Sequence, residues 1–163
     1  MPSLIETRPF TVHPETFAWP SFRLFSLRLV WIYPVVAAGM TFLLWQGLQV
    51  SVTLGALISI GITLALLGMS FARHKAFLMK PQNRAAFGNS IVSVDENQVR
   101  QDYPDGAFLA IELGSVKSFK EIADFYFVIA SPRHAIAVPK TAFESPEDSR
   151  EFAARIRNAV AHK

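Results

Sequence analysis

One uncharged stretch decides the fold of this chain. It runs from Leu29 to Ala72 and reads LVWIYPVVAAGMTFLLWQGLQVSVTLGALISIGITLALLGMSFA. Its 44 residues include no Asp, Glu, Lys, Arg or His. A helix rises about 1.5 Å per residue, and the apolar core of a bilayer is about 30 Å thick, so about 20 apolar residues suffice for one crossing. The stretch is therefore long enough for two transmembrane helices and a short turn.

The predicted transmembrane hairpin occupies residues 29–72. Its first span is Leu29–Trp45, its turn is Gln46–Gln49 and its second span is Val50–Ala72. The second span has a small residue at every fourth position, namely Ser51, Gly55, Ser59 and Thr63. Small residues at this spacing let two helix backbones approach closely. They predict packing of the second span against the first, with a dimerisation face as the alternative.

Basic residues flank this stretch on both sides, and no acidic residue occurs between Glu15 and Asp95. The flanking cations are Arg23, Arg28, Arg73, Lys75, Lys80 and Arg84. By the positive-inside rule, this distribution predicts that both termini are cytoplasmic. We also expect these side chains to contact the membrane surface, where anionic headgroups attract each of them by about 1 kcal/mol. The alternative is that they only set the topology.

The net charge of +3 does not indicate a nucleic-acid partner. From Phe87 to the end the chain has nine Lys and Arg against eleven Asp and Glu. A nucleic-acid binder would be expected to carry its positive charge on the face of its domain. The chain also has no cysteine, which excludes disulfides, thiolate catalysis and Cys-based metal sites.

The N-terminal segment, residues 1–28, is predicted to combine a strand with an interfacial helix. Leu4–Val12 has an extended pattern, and both flanks of the hairpin emerge on the same side of the membrane. We therefore expect it to return to the globular domain as an edge strand, with Phe10 and Val12 facing inward. The aromatic residues around Arg23 predict an interfacial helix or, alternatively, the cytoplasmic end of the first span.

Residues 73–86 form a predicted basic connector, and residues 87–163 a small cytoplasmic α+β domain. Short runs of aromatic and β-branched residues, separated by turn signals, predict an antiparallel sheet of about five or six strands. One of these turns is Pro104–Gly106, where proline presets its own φ and glycine accepts a positive φ.

A C-terminal amphipathic helix is predicted to pack on one face of this sheet. Ser145 suits its N-cap, and Phe152, Ile156 and Val160 recur every four residues. Phe143 is expected to pin this helix to the sheet.

No combination of residues indicates catalysis. The four histidines, His13, His74, His134 and His162, lack metal-ligand spacing and are predicted to be solvated. The acidic pairs Asp95-Glu96 and Glu147-Asp148 are explained by a turn and by a helix start. The predicted spans contain no ionisable group, which argues against a transporter or channel. We therefore expect no enzymatic activity, no cofactor and no metal site.

Several motifs resemble the YcxB-like family of bacterial membrane proteins. The resemblance covers Gly88–Arg157 and rests on Val92-Ser93-Val94-Asp95, Asp124-Phe125-Tyr126-Phe127, Val138-Pro139-Lys140 and Phe143, followed by Glu147 and Glu151-Phe152. It implies an N-terminal extended segment, a two-span hairpin and a C-terminal domain of strands ending in a helix. The domain is also similar in pattern to bacterial PH-like modules, which implies binding and not catalysis.

The functional expectation is a multi-pass protein of the bacterial inner membrane with both termini in the cytoplasm. Its cytoplasmic domain would be a non-enzymatic interaction module. The alternative is an accessory membrane subunit of a transport or envelope assembly that docks through the hairpin. Anionic lipid headgroups are the expected partners, and a protein partner or a homo-oligomer is left open.

Overall fold

The computed structural model describes residues 4–26, 32–81, 83, 87–131 and 134–161. The helices are α1 (Pro14–Ser26), α2 (Ile32–Leu48), α3 (Val52–Leu78) and α4 (Pro146–Ala161). The strands are β1 (Ile5–Glu6), β2 (Phe10–Thr11), β3 (Asn89–Val94), β4 (Gln98–Asp102), β5 (Phe108–Glu112), β6 (Ser118–Ile122), β7 (Phe125–Ser131) and β8 (His134–Pro139). Single 3₁₀ turns occupy Leu113–Ser115 and Lys140–Ala142.

The chain divides into two compact units. The globular unit takes residues 1–13 and 84–163, and the helical unit takes Pro14–Asn83. The predicted segment 1–28 is therefore shared between them, because its strands belong to the globular unit and α1 belongs to the helical unit. The chain starts in the globular unit, passes through the helical unit and returns.

The helical unit is built around the α2–α3 hairpin. Its turn is Gln49–Ser51, which begins three residues and ends two residues later than the predicted turn, and Gln49 reverses the chain with a φ of 51°. The Ser51 hydroxyl accepts the Leu54 N–H at 3.4 Å and so caps α3. At its other end α3 continues to Leu78, so the first part of the predicted connector is helical.

Length and composition make α3 able to cross a membrane. Among the described residues it is the one helix that meets both conditions, with 27 residues, whereas the apolar α2 has 17. No residue of α2 is buried, and many large apolar side chains of α3 are exposed as well. The predicted start of the first span at Leu29 lies outside the described residues.

The strands of the globular unit form two antiparallel sheets. β1 and β2 both pair with β3, which continues to β4 and β5, while β6, β7 and β8 form a second sheet. Eight strands in two sheets thus replace the single sheet of about five or six that the sequence predicts. The reason lies at Leu113–Ser115, where the Val116 N–H donates to the Leu113 carbonyl at 3.2 Å. This turn takes the chain out of the first sheet, and β6 begins only at Ser118.

The predicted return of the N-terminal segment to the sheet is confirmed. Ile5 lies opposite Val94 and Phe10 opposite Ser90, so both short strands line one edge of β3. Phe10 and Val12 are buried while Thr11 is exposed, as the alternation predicts.

Thr7 joins these two strands to β3. Its N–H donates to the Val92 carbonyl at 2.9 Å, and its hydroxyl accepts the Val92 N–H at 2.9 Å. Thr7 is buried, and the next residue, Arg8, donates its N–H to the Ala142 carbonyl at 2.8 Å. Residues 5–12 form a continuous strap across the globular unit, which we call the N-terminal strap.

The predicted hairpin between β4 and β5 is confirmed, with Asp102 opposite Phe108. Gly106 has a φ of 83°, the conformation that the Pro-Asp-Gly sequence requires. The Tyr103 N–H closes the turn on the Ala107 carbonyl at 2.9 Å.

Both faces of β7 are buried, which explains its aromatic sequence. Tyr126 faces α4, where its hydroxyl lies 3.0 Å from the Ser149 hydroxyl and its ring lies 5.9 Å from that of Phe152. On the opposite face Phe125 and Phe127 are buried too. A strand of this kind needs large apolar side chains at successive positions.

Helix α4 is capped and anchored as predicted. The Asp148 N–H donates to the Ser145 hydroxyl at 3.1 Å, which satisfies one of the free donors of the first turn. The Phe143 ring lies 5.1 Å from that of Phe152 on α4 and 6.1 Å from that of Tyr126 on β7. Phe143 therefore pins the helix to the second sheet.

Candidate functional site

The predicted membrane-surface cations that the structure describes all belong to the helical unit. Arg23 is exposed in the last turn of α1, and Arg73 is exposed near the end of α3. Lys75 is half-buried in the last turn of α3, and Lys80 follows that helix with its ammonium 5.8 Å from the centre of the Phe77 ring. Arg28 and Arg84 lie outside the described residues. Four cations thus sit on the end of α3 and on the helix that packs against it.

An aromatic corner joins α1 to the end of α3. The Phe22 ring packs edge-on against Phe71 at 5.3 Å, and the Trp19 ring contacts Phe71 at 5.8 Å. Phe22 is buried, whereas Trp19 remains 57% exposed. α1 therefore has one side packed on α3 and another side that exposes Trp19 and Arg23.

His74 is part of the same corner and is not the solvated side chain that the sequence predicts. Its Nε2 lies 2.8 Å from the hydroxyl of the buried Ser21, and its ring lies 5.7 Å from that of Phe22. The polar pair lies beside the Phe22 ring and links α1 to α3. Its partner is 53 positions away in the sequence, beyond the reach of local patterns.

The four small residues at the start of α3 have different roles. A Cβ at Gly55 would lie 3.6 Å from the Thr41 carbonyl oxygen, so α2 passes close to this position. Ser59 is buried and accepts a hydrogen bond from the Thr41 hydroxyl at 3.1 Å. Thr63 bonds to the Ser59 carbonyl of its own helix at 2.7 Å, and Ser51 is exposed at the N-cap. The closest contact between the helices thus centres on Gly55 and Ser59.

Asp95, the first residue of the acidic pair Asp95-Glu96, has a structural role. Its Oδ1 accepts the N–H groups of Asn97 at 2.7 Å and of Gln98 at 2.8 Å. These bonds, with that of Asn97 contributing most, lower the pKa of Asp95. The carboxylate therefore closes the turn between β3 and β4, as predicted, and has no need of a ligand.

Glu121 is the centre of an ion cluster on the second sheet. It accepts from Lys140 Nζ at 2.7 Å and from Arg157 at 3.0 Å, which links β6 to the Lys140–Ala142 turn and to α4. The hydrogen bond from Lys140, followed by the charges of both cations, lowers the pKa of Glu121. Exposed pairs of this kind contribute about 0–1 kcal/mol each, so the cluster mainly fixes the orientation of its elements.

A second charged group lies on the exposed face of the first sheet, where the sequence predicted no site. Two nitrogens of Arg100 donate to Asp102 Oδ1 at 2.7 and 2.8 Å. The guanidinium carbon also lies 4.4 Å from the centre of the Phe108 ring, within range of a cation–π contact. Phe108 is 60% exposed. The turn at Pro104–Gly106 fixes the register of β4 against β5 and so sets Asp102 opposite Phe108. This pairing can therefore be predicted from the turn sequence.

No group of three metal-ligating side chains occurs within the described ranges. The described surfaces present a cationic corner formed by Arg23, Arg73, Lys75 and Lys80, the ion cluster on Glu121, and Arg100 stacked on an exposed ring.

Comparison with protein families identifies one part of the chain. Residues 94–154 match the YcxB-like protein family. The predicted resemblance is confirmed over these residues. No curated protein and no solved structure matches the chain significantly.

The YcxB-like region begins at the end of β3 and includes β4–β8 and the first half of α4. It contains Phe143 and Phe152, which join the helix to the sheet. It also contains the charged group around Arg100 and the ion cluster around Glu121, apart from Arg157 of that cluster. It leaves out the N-terminal strap and the helical unit. The globular unit is thus a YcxB-like region completed by strands from the other end of the chain.

Proposed function

We propose that the protein is a membrane-anchored, non-enzymatic interaction module of the bacterial inner membrane. In this proposal α2 and α3 cross the bilayer as a two-span hairpin, and the YcxB-like globular unit lies in the cytoplasm and binds another macromolecule. A PH-like binding role for that unit is part of the same proposal.

The observation that supports membrane insertion most strongly is the apolar surface of α2 and α3. Val35 is 71% exposed, Leu43 68% and Leu57 63%. Soluble monomers rarely expose contiguous apolar surface on this scale, because its contact with water is unfavourable. α2 alone is short for a crossing, and the uncharged sequence continues on its N-terminal side through Leu29–Trp31, outside the described residues.

The cationic corner supports the orientation and a lipid partner. Arg23, Arg73, Lys75 and Lys80 all lie near one end of α3, while the α2–α3 turn at the other end has no charge. Cations on this side favour a cytoplasmic location for both termini. α1 would then lie along the membrane surface, with Trp19 and Arg23 among anionic headgroups.

Single-cysteine labelling tests this topology, because the chain has no cysteine of its own. We expect a membrane-impermeant thiol reagent to label Gly47→Cys in cells where the reagent reaches the outer surface of the inner membrane but cannot cross it. Asp105→Cys, in the exposed turn between β4 and β5, should be labelled only after the membrane is permeabilised. Labelling of Asp105→Cys in sealed cells would contradict a cytoplasmic globular unit.

A second candidate function is that of an accessory membrane subunit of a transport or envelope assembly. One observation favours it: a Cβ added at Gly39, Gly61 or Gly68 would meet nothing within 4 Å. These glycines leave faces of α2 and α3 open to close approach by another helix.

Co-purification in mild detergent distinguishes the two functions. If the globular unit binds the partner, deletion of residues 87–163 removes a stoichiometric partner, while Gly61→Leu with Gly68→Leu retains it. Partner loss in the double leucine variant alone would instead support docking through the hairpin. A Cβ at either site meets nothing within 4 Å, so this variant is expected to fold.

A further inference from the structure

The outer edge of β5 is open. β5 pairs with β4 alone among the strands of the described residues, and it ends the first sheet. One backbone hydrogen bond lies at each end of the β4–β5 ladder. The Tyr103 N–H donates to the Ala107 carbonyl at 2.9 Å, and the Leu113 N–H donates to the Asn97 carbonyl at 2.7 Å. Residues of an antiparallel strand alternate in direction, so Phe108, Ala110 and Glu112 direct their N–H and C=O groups away from β4.

The edge lacks several of the features that protect such strands. Natural edge strands carry lysines, prolines or bulges that prevent pairing with another chain. β5 reads FLAIE, has none of these, and pairs with β4 in one uninterrupted register. It also leaves Phe108 60% exposed on the solvent face of the sheet.

We propose that β5 is the dimerisation strand of this protein and pairs antiparallel with β5 of a second copy, about a two-fold axis at Ala110. The symmetric register that uses all three outward residues sets Ala110 opposite Ala110 of the partner and Phe108 opposite Glu112 of the partner. Six backbone hydrogen bonds form, and the two five-stranded sheets become one. This inference goes beyond the proposed function and does not depend on the membrane placement of the helical unit.

Side-chain chemistry favours a second copy as the occupant of this edge. Arg100 lies over the Phe108 ring at 4.4 Å, so a carboxylate opposite Phe108 comes near the guanidinium. In this register the carboxylate is that of Glu112 from the other copy, since directly opposed side chains have Cβ atoms about 4.5–5.5 Å apart. Arg100 already donates to Asp102 through two nitrogens and has further N–H groups to offer. At the axis the small, exposed Ala110 avoids a clash with itself.

Disulfide trapping of the full chain in its membrane tests the register. Opposed residues of a hydrogen-bonded pair have Cα atoms about 5.5 Å apart, which lies within the range for a disulfide. Under mild oxidation, Ala110→Cys should give a covalent dimer at twice the 18.2 kDa mass of the chain. Phe108→Cys alone and Glu112→Cys alone should not, because each is about 14 Å from its own copy in the dimer. The two variants mixed in one membrane should cross-link.

Two controls can overturn the proposal. Asp105→Cys lies in the exposed turn beyond β5 and reports random collision, so equal cross-linking of Asp105→Cys and Ala110→Cys would refute a specific interface. Cross-linking of Leu109→Cys in place of Ala110→Cys would refute the register, because the proposed pairing sets Leu109 opposite Ile111 of the partner and not opposite its own copy.

A proline at the axis provides an independent measurement. The Ala110 N–H points away from β4, so Ala110→Pro removes one intermolecular donor without breaking the hairpin ladder. We expect this variant to be monomeric by light scattering in detergent, whereas Ala110→Ser remains dimeric. A proline variant that dimerises as well as the serine variant would overturn the proposal. Should the proline variant fail to fold, the cysteine series decides the question.

Discussion

Replacement of Phe152 by alanine is expected to lower the free energy of unfolding of the globular unit by about 3–5 kcal/mol. Phe152 is 1% exposed and is among the largest fully buried side chains of the described residues. Its ring contacts Phe143 at 5.1 Å and Tyr126 at 5.9 Å, so truncation leaves a cavity where helix, turn and sheet meet. This loss is a large part of the about 5–15 kcal/mol that stabilises a typical domain.

Chemical denaturation of the full chain in detergent, followed by near-UV circular dichroism, measures this effect. Arg150→Ala is the matched control, since Arg150 is exposed on the same helix and its truncation is expected to change stability by less than about 0.5 kcal/mol. Equal losses for both variants would show that α4 is not held by its aromatic face.

Replacement of Ile5 by alanine is expected to cost about 2–5 kcal/mol, although Ile5 lies near the start of the chain. Ile5 is 5% exposed and lies opposite Val94, itself completely buried. Termini are often poorly ordered unless they are tied down, and a frayed segment would tolerate this change without effect. The same measurement therefore tests whether the N-terminal strap is part of the core.

Leu4→Ala is the matched control for the strap. Leu4 precedes Ile5 and is 61% exposed, so its truncation removes a similar apolar side chain from the surface. We expect it to change stability by less than about 0.5 kcal/mol. If the strap contributes nothing to stability, Leu4→Ala and Ile5→Ala will have the same free energy of unfolding.

The elements that the sequence predicts correctly rest on local patterns. The alternation at Phe10 and Val12, the turn chemistry of Pro104–Gly106 and the cap at Ser145 each need only a few neighbouring residues. The pairing of the strap with the sheet followed from topology, because both ends of the hairpin leave on one side. The first three of these predictions do not require knowledge of which distant residues meet.

The features that the sequence misses depend on distant partners or on a boundary. The division into two sheets depends on a 3₁₀ turn at Leu113–Ser115 that has no strong turn sequence. α3 continues beyond Ala72 because Arg73 and Lys75 are good helix formers. The predicted end of the second span at Ala72 rests only on the first charged residue, Arg73. The contact between Ser21 and His74 joins α1 to the last part of α3, with the whole of α2 between them in the sequence.

The N-terminal strap also determines the order of events during synthesis. Its partner strand β3 is made about 80 residues later, which at about 5–20 residues per second is a delay of several seconds. Throughout that interval Ile5, Thr7 and Phe10 have no partner, and the apolar helices emerge from the ribosome in between. The sheet can close only after those helices have left the ribosome, so the N-terminal strap is among the last parts of the globular unit to reach its native position.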